Sequence, residues 1–284
     1  MVKGFMGRTH ALLSIMVLCI FLLIPIEIFK QSIWLLRNNI LFFIVGIIVL
    51  VGGALLPDLD NAQSAAGSTL GFMGGMFTIF MQSTSSMVWN LVHTKKEKRP
   101  STPHRYLWHT LVIGIAIFSI FYFGIPSGDI KIIDDIKQKT ILVFLQKNVI
   151  ILFFILILFM AVLCGSDMIL SKLIKIFKLP KVLNYILPIA IIIYLFIIDY
   201  NHLKILGMCL GIGYICHCLE DCFADTGVPI LWPIPIKGQF WKRCKFFITC
   251  QTGGLANNII DIIVLVIDIG LLIIIFIQES AITI

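Results

Sequence analysis

The stretch ILFFIVGIIVLVGGALLPDLD, residues 40–60, decides the fold. From Ile40 to Leu56 it holds no charged or hydrogen-bonding side chain, and it ends on a proline and two aspartates. A helix needs about 20 predominantly apolar residues to cross a hydrocarbon core, and comparable uncharged runs recur along the chain. Of its 284 residues, 59% are hydrophobic and 13% charged, whereas soluble chains are about 25% charged. The expected fold is all-α: a polytopic helical membrane protein, with residues 1–284 forming one integral membrane domain and no separate soluble domain. There is no internal repeat.

Seven spans are expected, at about 11–29, 40–56, 103–125, 141–164, 183–198, 203–219 and 259–277. Residues 1–25 resemble a signal peptide, with Lys3 and Arg8 before an apolar core. No small-residue cleavage site follows, so this is read as an uncleaved first span. An eighth stretch, 69–92, carries Gly71, Gly74 and Gly75 and then Gln82 to Ser86. It is too polar to face lipid and is expected to form a re-entrant or interfacial hairpin covered by protein. In "STPHR", Thr102 can cap a helix and Pro103 can occupy its first turn. That places the start of the third span just before His104, with Arg105 and His109 sharing a face.

Short polar clusters mark the span ends. His10 lies at the start of the first span, and Asp58 and Asp60 follow the second. His104 and His109 open the third, and His217 and Asp221, four apart on one helical face, close the sixth. Glu220, three after His217, can reach the same side. If 69–92 returns to its own side, all of these clusters share one membrane face. The same face then carries 15 of the 22 Lys and Arg residues, which makes it cytoplasmic. The expected location is the cell membrane, multi-pass, with the N-terminus cytoplasmic and the C-terminus extracytoplasmic. The net charge of +7 is accounted for by these orienting loops, and no nucleic-acid partner is expected. His93 and His202 lack such company, and the cysteines are read as packing residues.

Ionisable groups gathered at a membrane are costly and mark function. His10, Asp58, Asp60, His104, His109, His217 and Asp221 form a mixed His/Asp set suited to Zn2+, or alternatively Mn2+. Seven candidates exceed the needs of one ion, so two or more are expected, with the Asp58 or Asp60 carboxylate within about 8 Å of His109 and His217 to clamp a phosphoryl group. Arg105 would hold a phosphate oxygen. Asp60 would act as general base, and turnover would depend on Asp60, Arg105 and Asp221.

The ordered set formed by His10, "LLPDLD", "HR" followed by "WHTL", and "H…ED…DTGVPILWP" resembles the YdjM-type membrane-bound metal-dependent hydrolases, from His10 to about Gly254. That family is distantly similar to zinc-dependent phospholipase C. The resemblance implies a multi-metal site built from the seven His and Asp residues named above. One departure stands out: Asn257 occupies the place of an expected acid, and Asp261, one turn later, is its nearest substitute. The expected function is metal-dependent hydrolysis of phosphate esters at the cytoplasmic face. The expected substrates are phospholipid or other amphiphile head groups, and the expected partners are membrane lipids. The alternatives are a non-catalytic membrane protein with a structural metal, and a metal-ion transporter. The transporter should carry its ionisable residues near mid-membrane instead of at span ends. In "WPIPIKGQFWKR", Trp232, Phe240 and Trp241 stand beside Lys242 and Arg243, a composition that suits anionic head groups or membrane anchoring.

Overall fold

A computed structural model describes residues 7–24, 29–98, 104–125, 149–178, 180, 183–246 and 255–282. Helices α1 (Gly7–Leu23), α2 (Lys30–Asn38), α3 (Ile40–Leu55), α4 (Ala65–Leu91) and α5 (Leu111–Phe123) are followed by α6 (Val149–Phe177), α7 (Leu183–Ile197), α8 (Tyr200–Glu220) and α9 (Leu255–Ile282). No strand occurs among the described residues, only two isolated bridges, Val228 to Cys244 and Ile236 to Gln239. Among the described residues, four segments are long and apolar enough to cross a membrane: Ile40–Asp60, Phe153–Leu170, Tyr200–Phe223 and Asn257–Ile275. Gly7–Leu23 and Leu111–Phe123 are apolar but shorter.

Helix α3 lies at the centre, packed against α1, α6 and α8; α5 covers α8, α7 lies on α6, and α9 lies on α1. Between apolar helices in lipid, association rests on close van der Waals packing and small residues. Glycines supply that closeness here. A Cβ at Gly52 would overlap the Ala161 carbonyl of α6, and one at Gly213 would overlap the Leu50 carbonyl of α3. The backbones of α3, α6 and α8 therefore touch, and the ends of α3 and α8 are held side by side.

Helix α4 is a hairpin of unequal arms. Ser64 caps the first arm by accepting from Gly67 N at 3.0 Å. Gly71 breaks the helix with φ 54°, a conformation glycine adopts readily. The chain turns so sharply there that a Cβ on Gly74 would overlap the Gly67 carbonyl; in a straight helix these residues stand about 10 Å apart. On the longer arm, Thr78 Oγ1 donates to Leu59 O at 2.6 Å and Gln82 Nε2 to Asp60 O at 2.7 Å. Thr84 Oγ1 accepts from Trp108 Nε1 at 3.0 Å. Gln82 and Thr84 of the polar run at 82–86 thus face the PDLD turn and Trp108, and Ser85 is buried.

Three boundaries differ from the sequence expectation. The first span, expected at about 11–29, is helical from Gly7 only to Leu23. The third span does not begin near His104: Leu107–His109 is a single 3-10 turn and α5 starts at Leu111. Arg105 has φ 60°, which no helix permits, and its backbone N–H donates to Asp60 Oδ2 at 2.9 Å. That tertiary bond overrides the local helix signal, so Arg105 and His109 share no helical face. Thr102 and Pro103 lie outside the described residues, as do Met1 to Met6 and the expected start of the fourth span at 141. Helix α6 continues past Cys164 to Phe177: Ser166 Oγ turns back onto Val162 O at 2.6 Å, and Asp167 receives the Thr69 hydroxyl at 3.0 Å.

The contact between α3 and α8 can be tested directly. Gly213→Val is expected to lower stability in detergent by roughly 1–3 kcal/mol and to separate Asp58 from His217. Gly75→Ala, whose Cβ would meet open space, should leave the melting temperature unchanged. Equal melting of the two variants would show that the helices are not in backbone contact.

Candidate metal centre

Four parts of the chain deliver the polar groups to one place. Helix α1 brings His10, and the 3-10 turn Pro57–Asp60 brings Asp58 and Asp60. The irregular loop before α5 brings His104, Arg105 and His109, and the end of α8 with the following turn brings His217, Glu220 and Asp221. His10, Asp60, His109, His217 and Asp221 are fully buried. The rings follow one another, with centroids 4.1 Å apart from His10 to His217, 5.1 Å from His217 to His109 and 5.5 Å from His109 to His104. All seven residues expected to form a site are brought together. His93, bonded to Trp89 O, and His202, paired with Asp199, stand apart from it.

Each imidazole is anchored through Nδ1. His10 meets Glu220 Oε2 at 2.5 Å, His109 meets Asp221 Oδ2 at 2.7 Å, and His217 donates to Ala54 O at 2.6 Å. His104 Nδ1 meets Asp60 Oδ1 at 2.5 Å. The Ala54 bond places the His217 proton on Nδ1 and leaves Nε2 as a lone pair. Among the described residues, the buried Nε2 atoms of His109 and His217 find no hydrogen-bond partner. Carboxylates lie opposite them: Asp60 Oδ2 is 3.3 Å from His109 Nε2, while Asp58 Oδ1 and Asp221 Oδ2 are 3.6 and 3.4 Å from His217 Nε2. Histidines held through one nitrogen and presenting the other to carboxylates are arranged as metal ligands are.

Three groups offer one ligand atom from each member, all within 4.8 Å of one another: His10, His217 and Asp221; Asp58, His109 and His217; Asp60, His104 and His109. His217 belongs to the first two and His109 to the last two, so the groups run together as a chain of donors able to hold metal. None of the three includes a cysteine.

Arg105 reaches the same place by another route than the shared helical face. Its Nη2 lies 3.0 Å from Asp221 Oδ1 and its Nη1 donates to Thr226 Oγ1 at 3.4 Å. The aromatic loop fixes its surroundings. Trp241 is buried against Trp89 and Tyr106, its backbone N–H donates to Glu97 Oε1 at 2.6 Å, and its indole bonds Val92 O. Arg243 lies over the Tyr106 ring. Trp241 is therefore a pin that holds the loop at 104–110, not a residue exposed to head groups.

Glu220 was named in the sequence only as within reach; its role as partner to His10 was missed. The i, i+3 spacing from His217 was the available signal. Asp261 does not enter the cluster: it accepts from Thr9 Oγ1 at 2.6 Å and pairs with Arg8. Asn257 donates to the same Thr9 hydroxyl at 3.0 Å.

Buried His/Asp groups at one end of an apolar helical bundle define a membrane protein with a candidate metal centre. The model of the YdjM inner membrane protein family matches residues 182–280, a stretch that includes α7, α8, His217 and Asp221. The match bears out, over that stretch, the family resemblance carried by the motifs. No curated protein and no solved structure matches the chain.

Burial alone disfavours charge on His109, but the carboxylates of Asp60 and Asp221 outweigh it and hold its pKa up to about 10. An unfolded imidazole titrates near 6.5. In chelator-treated protein, the stability this contact contributes is therefore fully present below about pH 6.5 and lost as pH rises through about 10. Melting temperature in detergent should fall across that window, and His109→Gln should flatten the fall. A variant slope equal to the wild-type slope would remove His109 as its source.

Proposed function

We propose that the chain is a membrane-bound, metal-dependent hydrolase of phosphate esters, acting at the cytoplasmic face on phospholipid or other amphiphile head groups. The observation that supports it most is the pair of buried imidazole Nε2 atoms, on His109 and His217, that face three carboxylates and no hydrogen-bond partner. Their donor set fits Zn2+, or Mn2+, in two or more positions. The ligands in this assignment are His10, Asp58, Asp60, His104, His109, His217 and Asp221. A metal bound there would lower the pKa of its water to about 7 and polarise a phosphoryl oxygen.

The protein's own groups supply the rest. Arg105 presents a planar fork of donors at the edge of the cluster and holds phosphate oxygens, while its pairing with Asp221 keeps the fork in place. Asp60 has both oxygens engaged, by the His104 ring and the Arg105 N–H. These bonds also hold the loop at 104–110, while Asp58, whose side chain is 20% exposed, lies on the open side of the cluster. Glu220 orients His10. A structural metal site is the second reading, favoured by one observation: Arg8 and Thr9 occupy Asp261, so no acid replaces Asn257.

Metal content decides between a binding site and none. Purified protein should carry zinc or manganese, and His217→Ala should lose most of it. Head-group or phosphate release from mixed lipid vesicles should stop with chelator, return on metal addition and vanish in Asp221→Asn. Arg105→Lys should slow release by about 10²-fold, as loss of one transition-state donor does. Metal without release across lipid classes would favour the structural reading; release that survives chelation and Asp221→Asn would end both.

Seven spans with the α4 hairpin returning to its own side are proposed, with a cytoplasmic N-terminus and an extracytoplasmic C-terminus. The basic residues support this orientation, since 15 of 22 fall on the cluster's side. Reporter fusions at residue 284 and within 172–181 should report opposite sides; the same side for both would defeat it.

A further inference from the structure

An apolar groove of about 80 Å³ opens beside the cluster, walled by Phe80 of α4, Ile117 of α5 and Phe153, Ile157 and Met160 of α6, with Tyr214 of α8 beneath. Leu56, Leu59 and Trp108 line it as well. These three adjoin the polar site in sequence: Leu56 and Leu59 interleave with Asp58 and Asp60, and Trp108 precedes His109. One short turn thus sends its leucines into the groove and its aspartates into the cluster. The two polar groups in the lining are already used. Tyr214 Oη donates to Trp108 O at 2.6 Å, and Trp108 Nε1 donates to Met81 O at 3.1 Å. What remains is a hydrocarbon surface that extends about 10 Å along α6 from Met160 to Phe153, at about 1.5 Å per residue. Phe80 and Phe153 are 53% and 54% exposed, so one side is open to the surrounding lipid.

We propose that this groove holds the head-proximal alkyl chain of a phosphate-bearing amphiphile whose phosphate is held by Arg105 and the His/Asp cluster. This deepens the proposed function and rests on it: the substrate is a single-tailed or multi-tailed lipid phosphate ester, not a soluble one. The continuity of the two surfaces selects this occupant. A chain lying along α6 ends at Leu59 and Trp108, whose sequence neighbours Asp60 and His109 belong to the cluster. A soluble ester would leave the groove unused, and an uncharged alkyl chain would engage none of the cluster.

The test uses the full chain in phosphatidylcholine vesicles with dodecyl phosphate that carries a photoreactive diazirine in mid-chain. Adducts should concentrate on Phe80, Ile117 and Ile157, and unlabelled dodecyl phosphate should compete where dodecanol does not. Ile157→Trp, which fills the groove, should reduce this labelling by about tenfold, a weight of about 1.4 kcal/mol. In turnover it should raise KM for a long-chain phosphate ester with kcat unchanged, and leave a water-soluble short-chain ester unaffected. Adducts as dense on Ile193 of α7 or Val266 of α9 as on Ile157 would overturn the groove. Dodecanol competing as well as the phosphate would also overturn it. Confined, phosphate-selective labelling with no turnover of any ester would support the groove and overturn the hydrolase assignment. If Ile157→Trp fails to insert, the adduct map of the unsubstituted protein decides alone.

Discussion

Everything in the site depends on how closely α3 and α8 approach. The carboxylates of Asp58 and Asp60 follow one helix, and His217 and Asp221 end the other. A side chain at Gly213 would overlap the Leu50 carbonyl, so only glycine lets the two backbones meet there. With the backbones in contact, His217 reaches the Ala54 carbonyl at the end of α3, and that bond fixes which of its nitrogens faces the carboxylates. Widening the helix pair by the thickness of a methyl group would remove the bond, the tautomer and the alignment together. The loop at 104–110 adds to this frame without creating it: its backbone hangs on Asp60, whose place is set by the end of α3.

Such a cluster is costly to bury. Charges and polar groups without partners in a low-dielectric interior lose several kcal/mol of solvation, and here each imidazole, each buried carboxylate of the cluster and Arg105 lie against one another. The protein meets that cost with local partners drawn from distant parts of the chain. Glu220 serves His10, Asp221 serves both His109 and Arg105, and Asp60 serves both His104 and the Arg105 backbone. The arrangement is rigid because nearly every member answers to two others, and among the described residues its most exposed members are Asp58 and His104.

Much of this was legible in the residues. Apolar runs gave the helices, since hydrophobic length is what a bilayer selects, and glycines with a polar run marked the α4 hairpin. Four-residue spacing gave the His217–Asp221 pair because α8 stays helical almost to its end. The loop before α5 was misread because its shape is imposed from outside: Asp60 captures the Arg105 N–H, and a local signal from Thr102 and Pro103 carries no knowledge of that bond. Helix α6 outran its expected end for a similar reason, with Thr69 of α4 meeting Asp167 beyond it. Asp261 looked like a spare acid because sequence distance hid Arg8 and Thr9.

That last contact ties the first described helix to the last. Arg8 and Thr9 of α1 bond Asn257, Asn258 and Asp261 of α9, next to the His10 that α1 contributes. A ribosome makes α1 well before α9, at about 5–20 residues per second, so this clasp cannot close until α9 has been made. His10 is one residue from the clasp, and its final position is set late. The nascent protein would thus cross the membrane several times before its polar centre is fully assembled, and a chain that stalls before α9 would carry the cluster without the helix that secures its N-terminal edge. Timing of synthesis, as much as packing, then separates finished molecules from unfinished ones.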